Sequence, residues 1–135
     1  MIKKLLSAFA LYIILLSCNN GTKKEPVTDT GVATTFIRAV LDNDFITAEK
    51  YLLKDETNQQ FFESFRHQYQ LKDKAELDKY KAADILINNL DTQNDSLTII
   101  NYSNTYKKDM KTNLKLMRLN GQWLIDLKYT FPENQ

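Results

Sequence analysis

The chain has 135 residues, with 18 basic side chains against 17 acidic ones and a net charge of +1, so it carries no electrostatic footprint for nucleic acid. Only Gly31 and Gly121 fall after residue 30, which leaves no Gly-rich loop to cradle a phosphate. One cysteine cannot form an internal disulfide, and a metal site or Ser–His–Asp triad built on histidine would have to use His67 alone.

The N-terminus opens Met1-Ile2-Lys3-Lys4 and continues into an apolar run from Leu5 to Leu16, broken only by Ser7. A positive start and a short apolar run form the pattern of an export signal. The run is too short for a spanning helix, which needs about 20 residues. Leu15-Leu16-Ser17-Cys18 resembles the lipobox of bacterial lipoproteins: Leu15 takes the aliphatic place, Ser17 the small one and Cys18 the acceptor. That resemblance implies diacylglycerol on the Cys18 thiol, cleavage before Cys18 and acylation of the new amino terminus. The lone cysteine thereby gains a use. Burial of acyl chain contributes about 0.8 kcal/mol per CH₂, so a triacylated Cys18 holds the chain on its membrane. Loss of residues 1–17 leaves 16 bases and 17 acids, a net of −1. Asn19, in place of an aspartate retention signal, directs the expectation to the outer membrane, facing the periplasm.

Residues 18–29 are expected to be the lipidated Cys and a polar tether, and residues 30–135 a single domain. Eleven tether residues reach at most about 36 Å fully extended. No internal repeat or low-complexity segment interrupts the domain.

Its first half has helical periodicity. Val32, Phe36, Ile37, Val40 and Leu41 recur at helical spacing, with Thr30 as the expected N-cap. Asp42-Asn43-Asp44 breaks the pattern, and Asn43 or Asp44 can cap a second helix bearing Phe45, Ala48, Tyr51 and Leu52. A third helix carries Phe61, Phe62, Phe65 and Tyr69 on one stripe. Residues 71–81 either extend it or form a loop.

The second half has strand character at Ile85–Ile87, Leu97–Tyr106, Lys111–Leu119 and Trp123–Tyr129. Asn120-Gly121 supplies the positive φ angles of a type I′ turn. That turn sets Arg118 opposite Trp123, Leu116 opposite Ile125, Lys115 opposite Asp126, Leu114 opposite Leu127 and Thr112 opposite Tyr129. The face expected against the helices is then Leu114, Leu116, Trp123, Ile125, Leu127 and Tyr129. For the preceding strand two registers stay open: a loop over Lys107–Met110 turns Asn101 and Ser103 inward, and a shift of one residue turns in Ile100 and Tyr102 instead.

Three stretches carry a second resemblance: Ala33–Phe45, Ala48–Leu52 and Leu114–Asp126, the last with its Gly-x-Trp at Gly121-Gln122-Trp123. Helices followed by an antiparallel meander resemble the NTF2-like (cystatin-like) domains, and more narrowly the DUF4878-type domains of bacterial lipoproteins. The resemblance covers residues 30–130. It implies an α+β fold with N-terminal helices packed on a curved four-stranded antiparallel meander. Such cones often enclose a pocket, which in some members is catalytic and in many holds a ligand or nothing, so the fold by itself licenses no reaction.

Phe36, Tyr51, Tyr102, Trp123 and Tyr129 are the expected pocket lining, against the plainer reading of aromatics as core. His67 lies off the aromatic stripe and is expected in solvent. Asp84, at the start of the first strand, is weighed as a general base and as an ordinary solvated strand end. Asp126 is expected to face outward. These residues point to a non-enzymatic envelope lipoprotein that binds a small ligand or a protein partner, with no catalytic residue assigned, no cofactor and no metal. The alternatives are a small pocket hydrolase or isomerase using Asp84 or a Tyr, and a homodimeric adaptor.

Overall fold

The computed structural model describes residues 26–130. The expected export signal and Cys18 therefore lie outside the described residues. Four helices precede four strands: α1 (Asp29–Leu41), α2 (Phe45–Glu49), α3 (Glu56–Gln70), α4 (Lys74–Ala82), β1 (Ile85–Asn94), β2 (Leu97–Asn104), β3 (Thr112–Leu119) and β4 (Gln122–Asp126). The strands form one antiparallel sheet in sequence order. Helices on a four-stranded meander give the α+β class expected, and agree with the NTF2-like arrangement.

Each helix starts where a short polar side chain replaces a missing intrahelical acceptor. Thr28 caps α1, its hydroxyl accepting from the Gly31 N–H at 3.1 Å. Thr30, the expected cap, sits inside the first turn, where its N–H and hydroxyl both donate to Asp29. Asp44 caps α2, and Asn43 before it takes φ 60° to reverse the chain. Asp55 caps α3, and Asp73 caps α4 through Glu76. The segment 71–81 is thus neither an extension nor a loop but a new helix with its own cap. The C-terminal carbonyls of α4 are taken up by Arg38, whose guanidinium donates to Ala83 O at 2.7 Å and Lys81 O at 3.0 Å.

The second helix is shorter than its periodicity implies. Tyr51 follows it in a turn, and Leu52 bridges β4 in parallel: Leu53 N–H donates to Ile125 O at 2.9 Å, and Ile125 N–H to Tyr51 O at 2.8 Å. Pairing with a strand edge satisfies backbone groups that a longer helix would have kept for itself.

The last hairpin has the expected register: Leu116 faces Ile125, Arg118 faces Trp123 and Lys115 faces Asp126, around Asn120 (φ 50°) and Gly121 (φ 79°). For β2 the second register holds. The connection to β3 spans residues 105–111, so Ile100 pairs with Leu114 and Tyr102 with Thr112, on the helix side. Asn101 and Ser103 take the other face, where Asn101 Nδ2 donates to Asn113 Oδ1 at 2.7 Å and Asn88 Nδ2 to Ser103 Oγ at 3.2 Å.

The core lies between α1, α3 and the sheet. Phe36, Ile37, Leu52, Phe62, Ile100, Leu114, Leu116, Ile125 and Leu127 are all nearly inaccessible. A run of aromatic contacts continues from it: Phe62 meets Phe45 at 5.7 Å, Phe45 meets Tyr69 at 5.5 Å, Tyr69 meets Tyr80 at 5.4 Å and Tyr80 meets Tyr106 at 5.0 Å. Centroid separations in this range suit edge-on and tilted rings. The run leads from the core centre to the end of the molecule formed by α4 and the β2–β3 connection.

Candidate functional site

At that end, side chains from α1, α3, α4, β2 and the β2–β3 connection surround a cavity of about 160 Å³. Ile37, Val40 and Leu41 of α1 give it an apolar floor. Tyr69, Tyr80 and Tyr102 form its aromatic walls, one each from α3, α4 and β2. Lys72, Asn104, Lys107 and Thr112 supply polarity.

Burial pushes the Tyr102 hydroxyl up to about 12, against the hydrogen bond with Thr112 that favours ionisation. Burial also raises Tyr69, reinforced by Tyr80, Tyr102 and Glu76 nearby. Both phenols therefore stay protonated at neutral pH and can donate hydrogen bonds. Lys72 is raised by its hydrogen bond to Glu76, 3.0 Å away, and its ammonium lies 5.8 Å from the Tyr69 ring centre and 5.4 Å from that of Tyr80. Lys107 stands 4.7 Å over the Tyr106 ring. Its loop is pinned by buried Asn104, whose Oδ1 accepts the Tyr106 and Lys107 N–H groups at 3.0 and 2.9 Å.

A second cavity of about 210 Å³ lies at the opposite end, where the chain enters α1 and the β3–β4 turn closes over it. Val27, Val32, Lys50, Tyr51, Gly121 and Trp123 line it. The Arg118 guanidinium sits 6.0 Å from the Trp123 ring.

The residues expected to share one pocket are thus distributed. Tyr102 lines the first cavity, and Tyr51 and Trp123 line the second. Phe36 is sealed in the core between them at 1% exposure. Tyr129, expected on the inner face, is 44% exposed and lines neither cavity. Strand β4 ends at Asp126, because Leu127 N–H turns to the Asn58 side chain and Thr130 N–H folds back onto Leu127 O. Thr112 pairs with Tyr102 on β2, and the β3–β4 ladder stops at Lys115 and Asp126, so the expected pairs Leu114–Leu127 and Thr112–Tyr129 do not form. Asp126 does lie opposite Lys115, but it is buried rather than solvated, covered by Asn58, Lys115 and Lys128.

His67 is exposed, as its place on the helix implies. Asp84 is exposed too and bonds only through its backbone to Thr105, outside both cavities. Among the described residues, no three His, Cys, Asp or Glu side chains converge as a metal site would require. Tyr69, Tyr80, Lys72 and Lys107 were not among the residues expected to line a pocket. Tyr69 was visible on the α3 stripe, but its approach to Tyr102 depends on packing between elements over thirty residues apart.

No family model matches the chain, and no curated protein or solved structure shows significant similarity to it. Among the described residues no helix is long and apolar enough to cross a membrane.

Proposed function

We propose that this chain is a lipid-anchored binding module of the bacterial cell envelope. Cys18 carries the anchor, the outer membrane facing the periplasm is its station, and the described domain takes a small ligand without transforming it. The supporting observation is the chemistry of the tyrosine-walled cavity. Its lining contains no carboxylate and no imidazole, its buried phenols Tyr69 and Tyr102 are held protonated, and Lys72 is held as an ammonium by Glu76. Donors and apolar walls suit recognition. General base catalysis needs a group that gives up its proton near neutral pH, and these shifts run the other way.

Native mass spectrometry of the full-length protein, released gently from its membrane, tests the reading. A stoichiometric non-covalent mass beyond the lipid supports it. A bare protein that also takes up nothing from a small-molecule library removes it.

A second reading, a homodimeric adaptor, is favoured by β1. This ten-residue strand is the outer edge of the sheet, with Ile87 and Leu90 40% and 46% exposed. Sedimentation at increasing concentration separates this reading from a monomeric binder.

A further inference from the structure

We infer that the tyrosine-walled cavity selects a small planar ring bearing one carboxylate, seated with its ring among Tyr69, Tyr80 and Tyr102 and its charge at Lys107. The inference rests on the ligand-binding reading above and adds the class of ligand.

Size sets the first limit. A cavity of about 150 Å³ lined by apolar side chains admits benzene, and this one is about 160 Å³. One six-membered ring with a short substituent fills such a space. A sugar chain or a fused polycycle exceeds that volume.

The walls set the second. Tyr69 and Tyr80 pack at 5.4 Å, and Tyr80 meets Tyr106 nearly edge-on at 87°. A planar ring can join such a series in offset or edge-to-face contact. The floor of Ile37, Val40 and Leu41 offers only dispersion and burial of apolar surface.

Charge sets the third. Of the two lysines in the lining, Lys72 is committed to Glu76. Among the described residues Lys107 has no carboxylate within ion-pair distance; its cation rests on the Tyr106 ring. The buried Asn104 carboxamide fixes the backbone that carries it. One uncompensated ammonium beside an apolar cavity matches one negative charge. The lining holds no arginine to clasp a phosphoryl dianion in two parallel bonds, which points to a carboxylate.

The test uses the full-length protein in amphipol, with benzoate as probe and benzyl alcohol as its neutral counterpart. Affinities come from calorimetry, and the Met110 methyl resonance, in the cavity lining, reports where binding occurs. Benzoate is expected to bind about tenfold more tightly than benzyl alcohol, the increment that 1.4 kcal/mol of charge-assisted bonding supplies. Lys107→Gln, on the connecting loop and outside the core, is expected to abolish that preference. Equal affinities for both compounds, indifferent to Lys107→Gln, overturn the carboxylate assignment and leave the ligand-binding reading standing. Benzoate binding that depends on Lys107 but leaves Met110 unmoved is a surface contact and overturns the seat. If neither compound binds or shifts Met110, both the assignment and the use of this cavity for ligands fall.

Discussion

Asn58 Oδ1 accepts the backbone N–H of Leu127 at 2.7 Å, joining the first turn of α3 to the residue just beyond β4. The same carboxamide donates to Asp55 at 2.8 Å and to Asp126 at 3.3 Å. Asn58 is fully buried, and removing its side chain leaves the Leu127 N–H without that acceptor and takes one donor each from Asp55 and Asp126, which keep Lys128. Each buried group left unpaired costs about 1–3 kcal/mol. Asn58→Ala is therefore expected to destabilise the domain by about 2–4 kcal/mol. Thermal unfolding should register this as a fall of at least roughly 10 °C. Asn58→Asp keeps an acceptor for Leu127 but sets a third carboxylate against Asp55 and Asp126. Its deficit should shrink as pH is lowered, and an unchanged deficit would show that charge is not the cause.

Asp55 governs the acid limb of stability. Its hydrogen bonds from Lys128 and the Asn58 N–H bring it down to about 2 from the ordinary 3.8. A lowered folded value means the unfolded chain binds the proton first. The stabilisation is present above pH 3.8 and is lost as pH falls towards 2. Asp44 is lowered by Thr47, and Asp29 is held low by Thr98 and Thr30 against the opposing effect of burial, so both add in the same window. Asp55→Ala should remove the α3 cap, costing about 1 kcal/mol at pH 7, and should flatten the loss between pH 4 and 2. Urea titrations across that range measure both. Lys128 is raised by Asp55, so its share is present below 10.5 and fades at higher pH.

Gly121→Ala isolates a backbone effect. A methyl group there would meet no atom within 4 Å, yet φ is +79°. The expected cost is about 1–2 kcal/mol from conformation alone, with no change in the benzyl alcohol affinity of the tyrosine-walled cavity at the far end. A larger loss would mean that the hairpin register slips.

The proposed anchor makes a cellular prediction. Cys18→Ala should move the protein from the membrane fraction to the soluble periplasmic fraction, since it removes the thiol that would carry diacylglycerol. Retention in the membrane after high-salt and carbonate washes would eliminate the lipid attachment.

Local chemistry was legible in advance. Asn120-Gly121 set the last hairpin's register because two positive φ angles leave few alternatives, and the Asp42–Asp44 break located the α1–α2 turn. Contacts between distant segments were not. Tyr129 fell outside β4 because a side chain from α3 captures Leu127 N–H, which no pattern within β4 reveals. Asp126 was assigned to the right face, but the coverage by Asn58 and Lys128 comes from residues on either side of the alternation. The strand around Tyr102 turned on the length of one connection. Phe36, Tyr51 and Trp123 are aromatic and inward, and hydrophobic patterning cannot separate a core plug from a cavity wall.

The bridge from Leu52 to Ile125 has a consequence for assembly. It occupies the Ile125 N–H and C=O, and Asn58 occupies the Leu127 N–H, so the β4 side of the sheet is blocked at the C-terminal end of that strand. Among the described residues β1 is the edge left as a template, and its ladder shifts between Ile87 and Asn89 and again between Thr92 and Asn94. A building block with one active end and one blunt end terminates its own growth. Edge-to-edge pairing of copies stops at two, so an open strand can be kept without running on into fibres.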